Sequence, residues 1–264
     1  MAARFDGRVI AVTGATGIAA ASAKLLCSDG ASVFTIARDA DECAALGASI
    51  GDGGHHGWAV ADLRDEPETV AAFEACRERF GRVDGLLAVA GGSGRRFGDG
   101  PLDAITLEAW LATMDLNLTT TFLPMREALK LMMPERGGGG GSIVVISSVL
   151  ALHPSPALFG THAYAAAKGA QLSLVRAAAA TYADRGIRVN AVAPSVVATP
   201  MSERAQGDPV VAGYVARKQP LTGGFLSASA VASASAFLLS DEADAITGQI
   251  LEVDGGWSVT ETTP

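Results

Sequence analysis

The feature that most constrains the fold is the alternation of short apolar, β-branched runs with longer helical stretches. Seven runs have the composition of strands, and they are Val9–Val12, Ser32–Ala37, Gly57–Ala61, Gly85–Ala90, Ser142–Ser147, Arg188–Val192 and Ile250–Val253. Most of the intervening stretches are amphipathic or alanine-rich and long enough for crossover helices. This order predicts an α/β fold, a Rossmann-like, doubly wound parallel sheet of about seven strands with helices on both faces.

The chain has 264 residues, which suits one large α/β domain. The strand pattern continues through the flexible linker Gly137–Gly141, so residues 1–264 are predicted to form one domain. Thr199–Gly224 is rich in Pro, Gly and charged residues between two regular regions, and it is predicted to be a substrate lid. The three cysteines, which lie in predicted helices, are expected to be buried free thiols.

Composition excludes several classes of function. A net charge of −8 and a pI of about 5.0 argue against a broad basic face for nucleic acid. No apolar run approaches the ~20 residues that span a bilayer. No Cys/His spacing predicts a metal site, and we expect none. Polar residues interrupt the apolar N-terminal stretch, so we expect no signal peptide and a cytoplasmic protein.

Tyr164 and Lys168 stand four residues apart in an alanine-rich stretch predicted to be helical. This spacing puts both side chains on one helix face. A tyrosine near pKa ~10 needs a shift of about 3 units to act at neutral pH, or roughly 4 kcal/mol. An ammonium ~5 Å away supplies about 3 kcal/mol at an effective dielectric of ~20. A second positive charge, such as an oxidised nicotinamide, would complete the shift, although a half-buried Tyr and a solvated Lys are the simpler alternative.

The first predicted strand runs into a glycine-rich turn, Thr13-Gly14-Ala15-Thr16-Gly17-Ile18, that precedes a helix. Such a turn lets backbone N–H groups approach a pyrophosphate. An ordinary glycine turn is the alternative. The position at the start of an alternating α/β chain favours cofactor binding.

These segments belong to a longer series that resembles the short-chain dehydrogenase/reductase family over essentially the whole chain, with similarity to 3-oxoacyl-[acyl-carrier-protein] reductase-like members. The motifs occur in the family's order and spacing. They are Thr13-Gly14-Ala15, Asp62, Ala90-Gly91, Asp115-Leu116-Asn117-Leu118, Ile146-Ser147-Ser148, the Tyr164/Lys168 pair, Arg188-Val189-Asn190-Ala191, Thr199-Pro200-Met201 and Ile246-Thr247-Gly248.

The resemblance implies a role for each matching residue. Tyr164 is expected to be the general acid/base, and Lys168 to lower its pKa and bind the nicotinamide ribose. Ser148 is expected to bond the substrate oxygen, and Asn117 to hold a water that links Lys168 to solvent. A capping Ser and a polar kink are the alternatives. The implied cofactor-binding residues are Thr13, Gly14, Thr16, Gly17, Ile18, Arg38, Asp62, Leu63, Ala90, Gly91, Tyr164, Lys168, Pro194, Val197 and Thr199.

Cofactor choice is expected at the end of the second strand, which reads Ile36-Ala37-Arg38-Asp39. Ala37 stands where NAD-preferring relatives carry Asp, and Arg38 follows. Arginine here accommodates a 2′-phosphate, so NADP(H) is favoured over NAD(H). The alternative is an exposed Arg38 that Asp39 partly neutralises. Asp62 is expected beside the adenine, with helix capping as its alternative role.

The chain departs from the family in several places, including Ala88-Val89-Ala90-Gly91 after the fourth strand and Pro194-Ser195 after the sixth, and two further departures bear on the phosphate turn and the substrate pocket. Gly14 and Gly17 enclose two residues where the family has three, and Ala19 replaces the third glycine, so we expect a tighter phosphate turn. Ser148 and Tyr164 are also 16 positions apart rather than about 13. The added segment offers His153, Phe159 and His162 as candidate pocket walls or packing residues. The loop after the fourth strand offers Arg95 and Arg96, either to attract an anionic group or as solvated surface residues.

The leading function is an NAD(P)-dependent oxidoreductase that acts on a ketone or secondary alcohol, with thioester, sugar, polyol, steroid and polyketide carbonyls open. The alternative is a non-catalytic dinucleotide sensor with the same fold. The expected partner is a small molecule, with no nucleic acid and no membrane. The resemblance also implies a homo-oligomer, a tetramer or dimer, in which Leu172–Tyr182 packs between subunits. That run could equally be internal core.

Overall fold

A computed structural model describes residues 3–51 and 53–261. Seven strands form one parallel sheet in the order β3-β2-β1-β4-β5-β6-β7. All seven predicted strands are confirmed within two residues at each end. The strands are β1 (Val9–Thr13), β2 (Ser32–Ala37), β3 (His56–Val60), β4 (Gly85–Ala88), β5 (Gly141–Ile146), β6 (Ile187–Pro194) and β7 (Ile250–Val253).

Helices connect the strands and cover both faces of the sheet, as the doubly wound pattern predicts. A short π-helical turn, Asp115–Thr119, joins two of them. The helices are α1 (Gly17–Ser28), α2 (Ala40–Ile50), α3 (Glu66–Phe80), α4 (Leu107–Met114), α5 (Thr120–Met132), α6 (Pro156–Phe159), α7 (His162–Tyr182), α8 (Glu203–Gln206), α9 (Pro209–Lys218) and α10 (Ala228–Leu239).

Alternate residues of each strand point to opposite faces of the sheet and build two apolar cores. On β1, Val9 and Ala11 face the core that α3, α5 and α7 cover, whereas Ile10 and Val12 face the core beneath α1, α2 and α10. The central strands are buried on both faces, which explains their near-continuous apolar sequence.

The sheet brings the predicted site residues to one edge. Strand order reverses between β1 and β4, and in such sheets ligands bind outside the carboxyl ends of the strands at that point. Gly14 follows β1 and Ala90 follows β4, while Ser148 follows the next strand, β5. Gly14 and Ser148, which are 134 positions apart in the chain, therefore meet in one crevice.

The predicted lid, residues 199–224, leaves the sheet and returns to it at adjacent points. A parallel bridge joins Val197 to Leu226, with Ala198 N–H donating to the Leu226 carbonyl (2.8 Å). Between these points α8 and α9 pack on a small third core with Val149 and Trp257. The buried Gln219 donates to the carbonyls of Val196 and Gly224 and holds the base of the segment together. A lid function for this segment stays a prediction.

Helix α7 combines a buried face with an exposed one. Leu172, Val175, Ala178 and Ala179 lie in the core, so much of the alanine-rich run is internal packing. The opposite face is exposed and is the one that an oligomer would cover, which stays a prediction. Cys43 and Cys76 are buried and Cys27 is partly buried, all as free thiols. Within the described residues, no helix is both long and apolar enough to cross a bilayer.

Candidate active site

A cleft of about 300 Å³ opens at the carboxyl edge of the sheet. It brings together most of the residues that the sequence predicts for one site. They are Gly14, Thr16, Gly17, Ile18, Ala90, Gly91, Ser148, Tyr164, Lys168, Pro194, Val197 and Thr199. The remaining wall is mainly apolar, with Leu150, Phe159, Met201 and Trp257.

Helix α7 carries Tyr164 and Lys168 on its first two turns and presents both to the cleft. The Lys168 ammonium lies 5.7 Å from the centre of the Tyr164 ring and donates to the Ile146 carbonyl (2.8 Å) at the end of β5. The main chain of α7 is also bonded to this strand end, because the Ser147 hydroxyl donates to the Lys168 carbonyl (2.9 Å). Helix α7 is therefore attached to the end of β5 through both a side chain and a main-chain atom.

The ionisation of the pair differs from the sequence-based expectation. Burial raises the pKa of Tyr164 to about 12, and a hydrogen bond from Ser148 acts in the opposite direction without reversing the shift. Burial also lowers the pKa of Lys168 to about 7. We expected Lys168 to lower the tyrosine pKa, but the cost of burying both charges is larger than their mutual effect here. The expected lowering of the Tyr164 pKa by Lys168 is therefore absent in this structure, in which the chain's own residues alone set that pKa.

Asn117 lies in the π-helical turn and is buried behind the cleft wall. Its side chain accepts from Gly92 N–H (3.1 Å) and donates to the Gly92 and Thr113 carbonyls (3.0 and 2.9 Å). Its main-chain carbonyl accepts from Gln171 (2.9 Å) and from the Thr121 hydroxyl (2.9 Å). These bonds connect Asn117 to Gly92 and, through Gln171, to α7. A water held by Asn117 stays a prediction.

Gln171 and Asp99 are two positioning residues that sequence reasoning missed. Gln171 is buried one turn after Lys168 and joins α7 to the π-helical turn. Asp99 is buried in a glycine-flanked loop, and its carboxylate accepts from the N–H groups of Ala163 (3.0 Å) and Tyr164 (2.9 Å). It thereby caps the first turn of α7, which no adjacent residue does. The buried Asp99 carboxylate thus fixes the position of the first turn of α7, which carries Tyr164.

The opposite end of the cleft has the features of a phosphate site. Gly14 and Gly17 adopt positive φ values of 96° and 55°, which lets the turn bend between β1 and α1. Helix α1 begins at Gly17 with no side-chain cap on its first N–H groups, and it points this end into the cleft. Uncapped N–H groups and the helix dipole bind anions. The tighter turn therefore still fits a dinucleotide pyrophosphate. The Thr13 side chain lies at the end of β1, and its hydroxyl oxygen accepts from the N–H groups of Val89 and Ala90.

Comparisons with known proteins agree with this arrangement. A family model described as enoyl-(acyl carrier protein) reductase matches residues 12–258. The cis-4-hydroxycyclohexanecarboxylate dehydrogenase of Sinomonas cyclohexanicum is 37% identical over 98% of this chain and 99% of that protein. The D-threitol dehydrogenase of Mycolicibacterium smegmatis is 35% identical over 97% and 95%. The chain belongs to the short-chain dehydrogenase/reductase family.

A solved member of the family has the same fold. The 3-ketoacyl-(acyl-carrier-protein) reductase of Brucella melitensis, in complex with NADH, is 29% identical and superposes with a TM-score of 0.86 over 97% of this chain and 100% of that one. The protein is thus a dehydrogenase/reductase of the short-chain type, which acts on alcohol and carbonyl groups.

The residues that the family resemblance assigns to the adenosine lie outside the cleft, at the ends of β2 and β3. Arg38 is exposed there and lies near Asp62. Asp62 accepts from Arg64, which lowers its pKa, and Leu63 is buried beneath. The Asp39 carboxylate caps α2 through the N–H groups of residues 41 and 42. Among the described residues Arg38 forms no ion pair, and the Asp62 charge lies near it.

The substrate side contains some of the candidate residues and not others. Phe159 and Arg95 line the cleft. His153 lies outside it and pairs with Glu252 on β7 (3.0 Å), and His162 Nδ1 bonds the Gly100 carbonyl (2.9 Å). Arg96 is exposed and stacks on the Phe97 ring (4.7 Å). These three were expected at the pocket, and local partners hold them elsewhere.

Two further cleft residues carried no recognisable sequence signal. Arg204 lies in α8, and Trp257 follows β7 and packs against Phe159 (5.7 Å between ring centres). Each belongs to the C-terminal quarter of the chain, and only the folded sheet brings it to the cleft. The part of the chain that the structure describes holds no group of three or more His, Cys, Asp or Glu side chains able to bind a metal.

Proposed function

We propose that the protein is an NADP(H)-dependent oxidoreductase that interconverts a secondary alcohol and its ketone, with Tyr164 as general acid/base. The observation that carries the proposal is the convergence of Ser148, Tyr164 and Lys168 on one cleft whose other end is the uncapped start of α1. When bound, a nicotinamide supplies the hydride or accepts it. The chain's residues supply binding, orientation and proton transfer.

In the reductive direction Tyr164 Oη donates its proton to the carbonyl oxygen, and in the oxidative direction it removes the proton of the alcohol. Ser148 hydrogen-bonds the same oxygen and stabilises the charge that develops there. The Lys168 ammonium, held by the Ile146 carbonyl, favours the ionised tyrosine. Because the pKa of Tyr164 is about 12 here, ionisation at neutral pH depends on a further positive charge beside the ring.

NADP(H) is the favoured cofactor. Arg38 ends β2 with no acidic residue before it and no ion pair within residues 3–51 and 53–261. A guanidinium matches the shape and charge of a 2′-phosphate. The Brucella relative was solved with NADH, so preference must be measured for this chain. Comparing kcat/KM for NADPH and NADH with one ketone measures it, and a lower value for NADPH would reverse the assignment.

The substrate range is tested with ketones and alcohols of the kinds that the relatives' names describe. A suitable panel holds 4-oxocyclohexanecarboxylate and its carboxamide, cyclohexanone, threitol and a 3-oxoacyl thioester. The alternative, a dinucleotide sensor, predicts tight cofactor binding with no turnover of any panel member. We do not adopt it because a sensor has no use for a Ser, Tyr and Lys that converge on the cleft.

The deciding experiment compares Tyr164→Phe with Tyr182→Phe, which makes the same change at the other end of α7. We expect kcat to fall roughly 10²- to 10⁴-fold in Tyr164→Phe, because the proton donor is removed. We expect cofactor Kd to stay nearly constant in both variants and kcat to stay constant in Tyr182→Phe. Reduced-nicotinamide absorbance follows turnover. Normal turnover by Tyr164→Phe would disprove the assignment of the acid/base.

A further inference from the structure

Two arginines from separate parts of the chain line the same cleft. Arg95 lies in the short helical turn Gly94–Phe97 after β4, and Arg204 lies in α8 of the predicted lid. Both side chains are exposed. Within the described residues neither forms an ion pair with a carboxylate.

Both arginines stand beside the substrate wall. The Arg95 guanidinium donates to the Leu158 carbonyl (2.9 Å), next to Phe159, which lines the cleft. Arg204 precedes Ala205, which is buried against Val149 and Trp257. These contacts place them with the segment that links Ser148 to Tyr164. The glycine turn lines the same cleft, and Gly17 lies near Thr199, five residues before Arg204.

The positive charge around Arg95 is only partly compensated. Partial burial and the nearby Arg204 charge lower the pKa of Arg95, and Asp99 only partly opposes them. The Asp99 carboxylate is already engaged by two N–H groups of α7. Two guanidinium groups of like charge therefore share one opening, which attracts anions and disfavours cations.

We infer that Arg95 and Arg204 bind a carboxylate of the substrate, while Tyr164 and Ser148 meet its hydroxyl or carbonyl group. The apolar wall of Leu150, Phe159 and Trp257 would hold a compact hydrocarbon body between the two ends. A planar guanidinium matches a carboxylate through paired hydrogen bonds, and an apolar wall with few polar groups is typical of a small-molecule site. The inference rests on the proposed function and narrows it to small hydroxy acids and oxo acids.

The test uses 4-oxocyclohexanecarboxylate and its neutral carboxamide, which share one reacting carbonyl. Wild-type enzyme is expected to show a kcat/KM for the acid roughly 10- to 100-fold above that for the amide, because a charged hydrogen bond is lost. The acid's advantage should shrink as salt is added, since the arginines are exposed. Equal kcat/KM for acid and amide in the wild-type enzyme would overturn the inference.

Variants assign the effect to the two arginines. Arg95→Ala and Arg204→Ala should each raise KM for the acid roughly tenfold and leave KM for the amide unchanged. Arg96→Ala, an adjacent arginine outside the cleft, is the matched control and should change neither. Equal losses for acid and amide would mean that Arg95 only supports Leu158, and a raised cofactor Kd would mean that the arginines bind a cofactor phosphate. Either result overturns the inference.

Calorimetric binding of the acid to the enzyme–NADP⁺ complex separates this inference from the proposed function. If no member of the substrate panel is turned over, the proposed function fails. Binding that Arg95→Ala and Arg204→Ala weaken would still support the anion site. Binding that does not depend on the arginines, or no binding, would overturn it.

Discussion

The two sides of the cleft are built differently. The cleft floor, which we define as Asn117, Thr121, Ser147, Lys168 and Gln171, is buried, and side chain-to-backbone hydrogen bonds link it throughout. The cleft rim, defined as Arg95, Met201 and Arg204, is exposed and lies on short turns and helices. Under the proposed function, the floor holds the groups that react with any alcohol or ketone, and the rim selects which molecule binds. The proposal thus assigns reaction class and substrate choice to separate parts of the chain.

The largest effect that would sharpen this comparison is expected at Gly91. A Cβ there would lie 2.8 Å from Asn117 Oδ1 and 3.7 Å from Lys168 Nζ, and the Asn117 side chain is held by three hydrogen bonds. Moving Asn117 aside would break its hydrogen bonds, so a methyl group at Gly91 should displace Asn117 and Lys168. We therefore expect Gly91→Ala to lower kcat about a hundredfold. Steady-state assays measure this.

Gly92→Ala is the matched control. Its Cβ would meet only the end of the Leu116 side chain, at 3.4 Å, so that variant should keep most of its activity. Comparable activity in Gly91→Ala and Gly92→Ala would show that the floor is softer than its hydrogen bonds indicate.

The second test uses the buried lysine. Lys168 has a folded pKa of about 7, below the unfolded value of ~10.4, so between these limits the unfolded chain binds more protons. Its contribution to stability therefore rises with pH in this window, by up to about 1.4 kcal/mol per pH unit, and is lost as pH falls toward 7. The unfolding free energy of the wild type should rise accordingly relative to Lys168→Met.

Urea unfolding across this pH window measures the difference. Lys24→Met, at an exposed position on α1, is the control and should follow the wild type. If the difference in unfolding free energy between wild type and Lys168→Met did not vary with pH, Lys168 would be hydrated. The floor would then be accessible to solvent, as the rim is.

The smallest effect is expected at the rim itself. Met201 is 60% exposed, so Met201→Ser should change the unfolding free energy by no more than about 0.5 kcal/mol. The same change at the fully buried Met132 should cost roughly 2 to 5 kcal/mol. Denaturant melts compare the two. A cost at Met201 near that at Met132 would make the rim part of the packed structure.

The same division explains what the sequence could predict. The strands were predictable because apolar periodicity is local, and Tyr164 and Lys168 were recognisable because one helical turn separates them. Asp99 and Gln171 were not, because their partners lie 65 and 54 positions away. Nothing in the sequence distinguishes Arg204 from other surface arginines, and its place in the cleft with Arg95 is visible only in the structure. Long-range polar contacts leave no periodic trace in a single sequence.

The bridge between Val197 and Leu226 has a consequence for how such enzymes diversify. Neighbouring strands lie about 5 Å apart, so the segment leaves and rejoins the body at almost the same place. Changes in length between these points need not disturb the sheet, provided that the contacts of α8 and α9 with Val149 and Trp257 are kept. If Arg204 selects the substrate as proposed, exchanging this segment between relatives should change substrate preference while the catalytic groups stay in place.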